Sequence, residues 1–333
     1  VARTSLLTGG AGFIGSHLAR HLIAKGHRVI VLDDLSTGRF SNIEDLDRAH
    51  AGEGRFKFIF DSVLHERVVE DLVREADEIY HLASAVGVNL IMNEPVRTIE
   101  TIVGGTHAVL RCAARYRRRT MVFSTSEVYG KSSDVPFRED GDRLEGATSR
   151  HRWAYSCAKA LDEFLALAHW KQTRLPVVVV RLFNTAGPRQ TGQYGMVVPS
   201  FVRSALRGEP LTVYGSGEQS RCFCHVADVV EALEGLMGCD AATGQVFNIG
   251  STEEIGILEL ARRVVTLTGS RSDIQCIPYE KVYGADGFED MQRRLPAIDK
   301  IGRTTGWRPK RSLDEIIRDV AAAMREEGVG LEP

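Results

Sequence analysis

Tyr155 and Lys159 stand four residues apart in Tyr155-Ser156-Cys157-Ala158-Lys159, inside a stretch of helical periodicity that puts both side chains on one face. A phenol titrates near ~10. A neighbouring ammonium favours the phenolate, so this pair could serve as a general base near neutral pH. The same spacing also occurs in surface Tyr-Lys pairs, so further groups must join it. Phe123-Ser124-Thr125-Ser126-Glu127-Val128-Tyr129-Gly130 closes an apolar β-branched run. Open α/β sheets place their ligands at the C-terminal ends of such strands. Hydroxyls of Thr125 and Ser126 are placed there to hydrogen-bond a substrate oxygen.

A second constellation opens the chain. Gly9, Gly12 and Gly15 in Thr8-Gly9-Gly10-Ala11-Gly12-Phe13-Ile14-Gly15 join the first strand to the first helix. Glycines at those points permit an unusual turn, a close approach to a pyrophosphate and close packing of helix on sheet. The helix N-terminus offers free N–H groups to the anion. The next strand ends in Asp33-Asp34, where a carboxylate can accept from ribose hydroxyls and repel a 2′-phosphate; this favours NAD over NADP. Ser36, Thr37 and Gly38 follow, and Asp61-Ser62 after the third strand is placed to meet the adenine edge.

These groups need a scaffold. Strands are expected over residues 4–8, 27–33, 56–60, 78–82, 120–124 and 176–182, and helices over 14–25, 95–116 and 153–170. Val177-Val178-Val179-Val180 is apolar throughout, as in a strand covered on both faces. Repeated βα alternation predicts a Rossmann-type, doubly wound parallel sheet, the α/β class, spanning residues 1–182. From 183 to 333 Gly and Pro become frequent and elements short; a smaller mixed α/β substrate lobe is expected, with some segments returning to the sheet.

The 333 residues, 43% hydrophobic, supply an ample core, and the formal net charge of −2 argues against nucleic acid or a membrane as partner. The basic run Arg115, Arg117, Arg118, Arg119 suits a solvated helix C-terminus. Six scattered cysteines show no paired metal spacing, and Cys222-Phe223-Cys224 is expected to put two thiols on one face of one strand. No charged-then-apolar leader is evident and no apolar run approaches the ~20 residues of a membrane helix. A soluble, cytoplasmic protein is expected.

Together, TGGAGFIGSHL, FSTSEVYG, YSCAK, RLFNTAGP and SRCFCHVADV resemble the extended short-chain dehydrogenase/reductase family, in its nucleotide-sugar branch of 4-epimerases, 4,6-dehydratases and glucuronate decarboxylases. The resemblance runs from about residue 4 to 320 and implies an NAD-dependent enzyme acting on a UDP-sugar. It makes Thr125, Tyr155 and Lys159 the catalytic trio: Tyr155 takes the proton from sugar O4, while Lys159 holds the nicotinamide ribose and lowers the Tyr155 pKa. Ser126 and Glu127 join them, and Leu82-Ala83-Ser84 resembles the segment lining the cofactor. Asn184 and Thr185, Val198 and Pro199, Thr212 and Tyr214, Arg189, Arg221, Arg294 and, in the sugar-facing loop, Val88 are implied as substrate contacts. His225 and Asp228 read as structural.

Two departures bear on function. Ile102 occupies the place of a usual asparagine, and Ser126 the place of the aspartate with which dehydratases protonate a leaving hydroxyl. Dehydration is disfavoured. The first-ranked expectation is a UDP-sugar 4-epimerase, with glucuronate before glucose as the sugar; UDP-glucuronate decarboxylase is the alternative, and a non-catalytic NAD sensor a distant third. Relatives pair through the helix of Tyr155 and the long helix before it, which implies a homodimer.

Overall fold

The computed structural model describes residues 3–84, 94–192, 196–278 and 291–329. Strands β1 (Thr4–Thr8), β2 (Arg28–Asp33), β3 (Phe56–Phe60), β4 (Glu78–His81), β5 (Arg119–Thr125) and β6 (Val177–Leu182) alternate with helices. These are α1 (Phe13–Ala24), α2 (Glu44–His50), α3 (Glu66–Glu75), α4 (Pro95–Tyr116) and α5 (Ala154–Thr173). A further strand, β11 (Gln245–Ile249), completes a seven-stranded parallel sheet in the order β11-β6-β5-β4-β1-β2-β3. The expected Rossmann-type fold is therefore present; β1 to β6 lie within a residue of their predicted limits, and β11 is a strand returning to the sheet from the later residues.

The valine run explains why this sheet is covered twice. Val177 and Val179 enter an apolar layer with Val69 of α3, Val109 of α4 and Ala166 of α5. Val178 and Val180 turn to the opposite layer, with Leu18 and Leu22 of α1. Alternating side chains of one strand thus feed two cores, and both must be apolar. Helix α1 stops where Gly26 adopts φ +85°, a conformation that suits glycine.

The later residues add β7 (Thr185–Ala186), α6 (Val197–Arg207), β8 (Leu211–Tyr214), β9 (Ser220–Cys222), β10 (Cys224–His225), α7 (Val226–Met237), β12 (Glu254–Gly256), α8 (Ile257–Thr268), β13 (Ile274–Ile277), β14 (Arg293–Arg294), α9 (Asp299–Thr305) and α10 (Leu313–Glu326). Helices α6, α8 and α10 share a separate core built on Val202, Leu260, Ile316 and Val320. Helix α7 instead packs Val229 and Leu233 into the layer of α1, beside the sheet.

One sequence expectation fails. Cys222 and Cys224 do not share a strand face, because the chain changes sheets at Phe223. Cys222 ends β9, paired with β12, whereas Cys224 begins β10, paired with β7. Their thiols enter different cores, one beside Tyr129 and Phe183, the other under the main sheet. The basic run behaves as a helix end: Arg117 is the left-handed C-cap of α4, and Arg115 pairs with Glu70 at 2.6 Å. His225 accepts from Ala227 N and caps α7, and fully buried Asp228 accepts from the backbone of Lys310 and Arg311. Both are structural, as expected. No described helix is long and apolar enough to cross a membrane.

Candidate active site

The glycine loop is shaped by steric exclusion. Gly9 sits at φ +72°, and a Cβ there would lie 2.8 Å from Ala83 N; one on Gly15 would lie 2.4 Å from Gly9 O. Gly12 differs, since its Cβ would meet only Gly9 O at 3.2 Å, leaving its outer side open. Gly12 is also the N-cap of α1, which has no side-chain cap and no acidic residue in its first turn. The N–H groups of the first turn, at Phe13, Ile14 and Gly15, have no partner within the helix. An uncapped, open, positively polarised turn is what a pyrophosphate fits.

Asp33 locks this loop to the strand end: its two oxygens accept from Ala11 N at 2.9 Å and Leu35 N at 2.8 Å. Burial pushes its carboxyl pKa up, while those two backbone bonds pull it down. Each oxygen keeps a second lone pair for a ribose hydroxyl. Asp34 accepts from Ser36 N, and the bend through Thr37 brings Gly38 so close that a Cβ would lie 3.0 Å from Ala11 C. Asp61 accepts from Ser62 N and from the His65 ring, and the His65 bond leads in lowering its pKa. On the opposite side, Leu82 N and Ala83 N both reach Thr8, and Ser84 Oγ is buried without a hydrogen-bond partner among the described residues. That orphaned hydroxyl also fits a bound dinucleotide.

From Thr8 a buried hydrogen-bonded chain crosses to α4: Thr8 Oγ1 to His81 Nδ1 at 2.8 Å, then His81 Nε2 to Thr106 Oγ1 at 3.0 Å. Burial and the nearby Lys159 charge hold the His81 pKa near 3, so this ring is neutral. Tyr155 lies on the first turn of α5 and packs with Ala158 against Ile102 of α4. Ile102 thus fills with hydrocarbon the place of the expected asparagine.

The Tyr155 phenol is held well above its ordinary pKa in the free protein, first by burial and then by the Glu127 carboxylate, against the pull of a Thr125 hydrogen bond. Lys159 Nζ is paired at 3.0 Å with Asp162, both side chains being buried. Thr125 accepts from Glu127 N at 3.2 Å, which starts a short 3-10 turn over Ser126–Tyr129 and buries Ser126.

Glu127 is the electrostatic centre. It is clamped between Arg152 Nη1 at 2.5 Å and Arg294 Nη2 at 2.7 Å. Burial opposes its ionisation, but the two guanidiniums prevail and bring its pKa down to about 2. Arg294, an implied substrate contact, bonds Glu127 here, with its backbone in register with Arg221. Beneath this turn Ser124 donates to Glu163, Glu163 receives a two-pronged bond from Arg181, and Arg181 reaches Tyr129 OH, itself bonded to Asn248.

Among the remaining substrate candidates, Asn184 donates to Cys222 O at 2.9 Å, tying the end of β6 to β9, and Thr185 Oγ1 is buried without a partner among the described residues. Val198 and Pro199 are buried in the first turn of α6, while Thr212 and exposed Tyr214 lie on β8. Arg221 is buried on β9 and donates to Ser220 O. Arg189 Nε donates to Ser16 Oγ of α1 at 3.2 Å, which ties the segment after β7 to the first helix. Val88 lies outside the described residues. Arg152 and Asp162 are additions that sequence reading missed. They sit three residues before Tyr155 and three after Lys159, on the same stripe of the chain.

A doubly wound sheet whose glycine turn is linked through Thr8, His81 and Thr106 to the helix packed against a buried Tyr-Lys helix defines an NAD-dependent enzyme of the extended short-chain dehydrogenase/reductase class. More narrowly, the chain belongs to the GDP-mannose 4,6-dehydratase family, whose model matches residues 6–320. It is 41% identical to a UDP-N-acetyl-alpha-D-glucosaminuronate decarboxylase of Bacillus cytotoxicus, over 96% of this chain and 97% of that one. It is 40% identical to UDP-glucuronic acid decarboxylase 1 of Danio rerio, over 93% of this chain and 70% of that one. Among solved structures, the UDP-glucose 4-epimerase of Thermotoga maritima superposes with a TM-score of 0.86 at 29% identity, covering 99% and 100% of the two chains.

Proposed function

We propose that this protein is an NAD-dependent decarboxylase of a UDP-linked hexuronate, taking UDP-glucuronate or its 2-acetamido counterpart to the corresponding UDP-pentose. Similarity over nearly the whole chain to proteins named as decarboxylases of UDP-linked hexuronates carries this reading. Ser126 stands where a dehydratase has the aspartate that protonates the leaving hydroxyl, which disfavours dehydration. Epimerisation, ranked first from sequence, yields to decarboxylation because the relatives at 41% and 40% identity carry decarboxylase names.

The glycine turn, Asp33 and Lys159 are placed to hold NAD, which when bound accepts the hydride from sugar C4 and returns it at the end. Tyr155 takes the O4 proton, with Thr125 as its hydrogen-bond partner. The resulting C4 ketone lies β to the carboxylate, so the C5–carboxyl bond can break with its electron pair drawn towards O4. Tyr155 and Thr125 are placed to hold that oxygen as charge develops. After CO2 leaves, C5 takes a proton from solvent and Tyr155 gives its proton back to O4.

We also propose a homodimer. Val96 and Ile99 on α4 and Leu161 and Phe164 on α5 are large, apolar and exposed on two helices that pack side by side.

Incubation of the purified protein with NAD and either UDP-glucuronate or UDP-N-acetylglucosaminuronate, followed by mass spectrometry and NMR, tests the activity. Loss of CO2 to a UDP-pentose is expected. An unchanged mass with an inverted C4 centre would return the function to 4-epimerisation.

A further inference from the structure

Lys159 is buried, and so is its ion-pair partner Asp162, one turn further along α5. Residues 155, 159 and 162 follow the i, i+4, i+7 pattern and occupy one stripe of the helix, all buried. A lone buried ammonium is costly, and a counter-charge three residues along offsets that cost. Asp162 Oδ2 accepts from Lys159 at 3.0 Å, and the Thr106 hydroxyl of α4 also supports this carboxylate; burial raises its pKa while Lys159 and Thr106 pull it down. Nothing in the proposed chemistry uses Asp162. The acid is therefore a held negative charge fixed beside the group that must meet the cofactor ribose.

We propose that Asp162 is a positioning residue that aims Lys159 Nζ and, by its charge, sets both the ionisation of Tyr155 and the balance between oxidised and reduced nicotinamide at this site. The inference rests on the reading of Tyr155 and Lys159 as the catalytic pair. An ammonium has three donors, so one bond to Asp162 fixes its direction and leaves two for ribose hydroxyls. Electrostatically the two side chains act in opposite senses on whatever lies above them. The carboxylate makes a phenolate at Tyr155 harder to form, in the same sense as burial and Glu127 and against Thr125 and Arg294. It also offsets the repulsion between Lys159 and a positively charged nicotinamide ring. Ile102 gives Tyr155 a hydrocarbon neighbour on the α4 side and cannot share this task.

Replacing Asp162 by Asn preserves size and a bond to Nζ while removing the charge; Asp162→Ser serves as a second uncharged variant should Asn fail to fold. Dissociation constants for NAD and NADH, measured by calorimetry on protein shown folded by circular dichroism, read the charge without turnover. A unit charge about 10 Å away along a helix implies that the ratio of the two constants moves several-fold towards NADH. The acidic limb of the kcat/KM profile should move down by on the order of one pH unit for the same reason. An unchanged NAD-to-NADH ratio in a folded uncharged variant overturns the proposal. Tyr155→Phe separates this failure from that of the underlying reading: retained turnover there sinks the catalytic pair itself, whatever Asp162 does.

Discussion

Replacing Glu127 by Gln removes the buried negative charge held between Arg152 and Arg294 and leaves an amide in its place. The magnitude follows from the ionisation of the wild-type group. A carboxyl that ionises near 2 in the fold and at 4.5 ordinarily is worth about 3 kcal/mol of stability at neutral pH. Because the folded value is the lower one, this stabilisation is complete above 4.5 and is lost as pH falls towards 2. By pH 3 roughly 1.5 kcal/mol is left. With an unfolding entropy of ~2 cal/mol/K per residue, 3 kcal/mol across 333 residues amounts to about 4–5 °C in Tm. Calorimetric melts of wild type and Glu127→Gln should therefore differ by about that much at pH 7, and the gap should narrow by about half as pH falls to 3. A gap that is absent at pH 7, or that does not narrow in acid, would show that the two guanidiniums do not govern Glu127.

The buried Arg181–Glu163 pair makes a separate test. Arg181→Met strands a buried carboxylate and should cost about 3–5 kcal/mol in denaturant titrations, whereas Arg181→Met with Glu163→Met should recover most of it. Gly15→Ala drives a methyl into Gly9 O and Gly10 Cα, backbone atoms that cannot turn aside. NAD affinity by calorimetry should fall at least tenfold, and an unaltered affinity contradicts the cradle. Leu161→Glu with Phe164→Glu puts charge on the exposed apolar stripe of α5 and should convert the proposed dimer to a monomer by light scattering. A particle of unchanged size after that substitution rules out this interface.

What could be read from sequence was local. The β-branched runs, the glycine turn and the Tyr155–Lys159 spacing announce themselves within a few residues, because strand period, turn sterics and helix period act over that range. What escaped was set by distance along the chain. Arg294 lies 167 residues from Glu127 and meets it only because β14 is laid beside β9. The capture of Lys159 by Asp162 was within reach, since an acid three residues after a helical lysine is a standard pairing. The break at Phe223 was hidden, for an apolar residue between two cysteines reads as one continuous strand until a change of sheet divides it.

Strand β11 has a practical consequence for anyone wishing to take the molecule apart. The sheet that seats the dinucleotide ends not at β6, the last strand of the N-terminal half, but at a strand supplied from residues 245–249. A fragment cut after residue 182 would lay bare the backbone of Val178 to Leu182, an open apolar edge of the kind that templates fibrillar association. The earlier half thus depends on the later one to close its sheet edge. Any graft of the later half between relatives must carry its own β11, matched to the valine edge it closes.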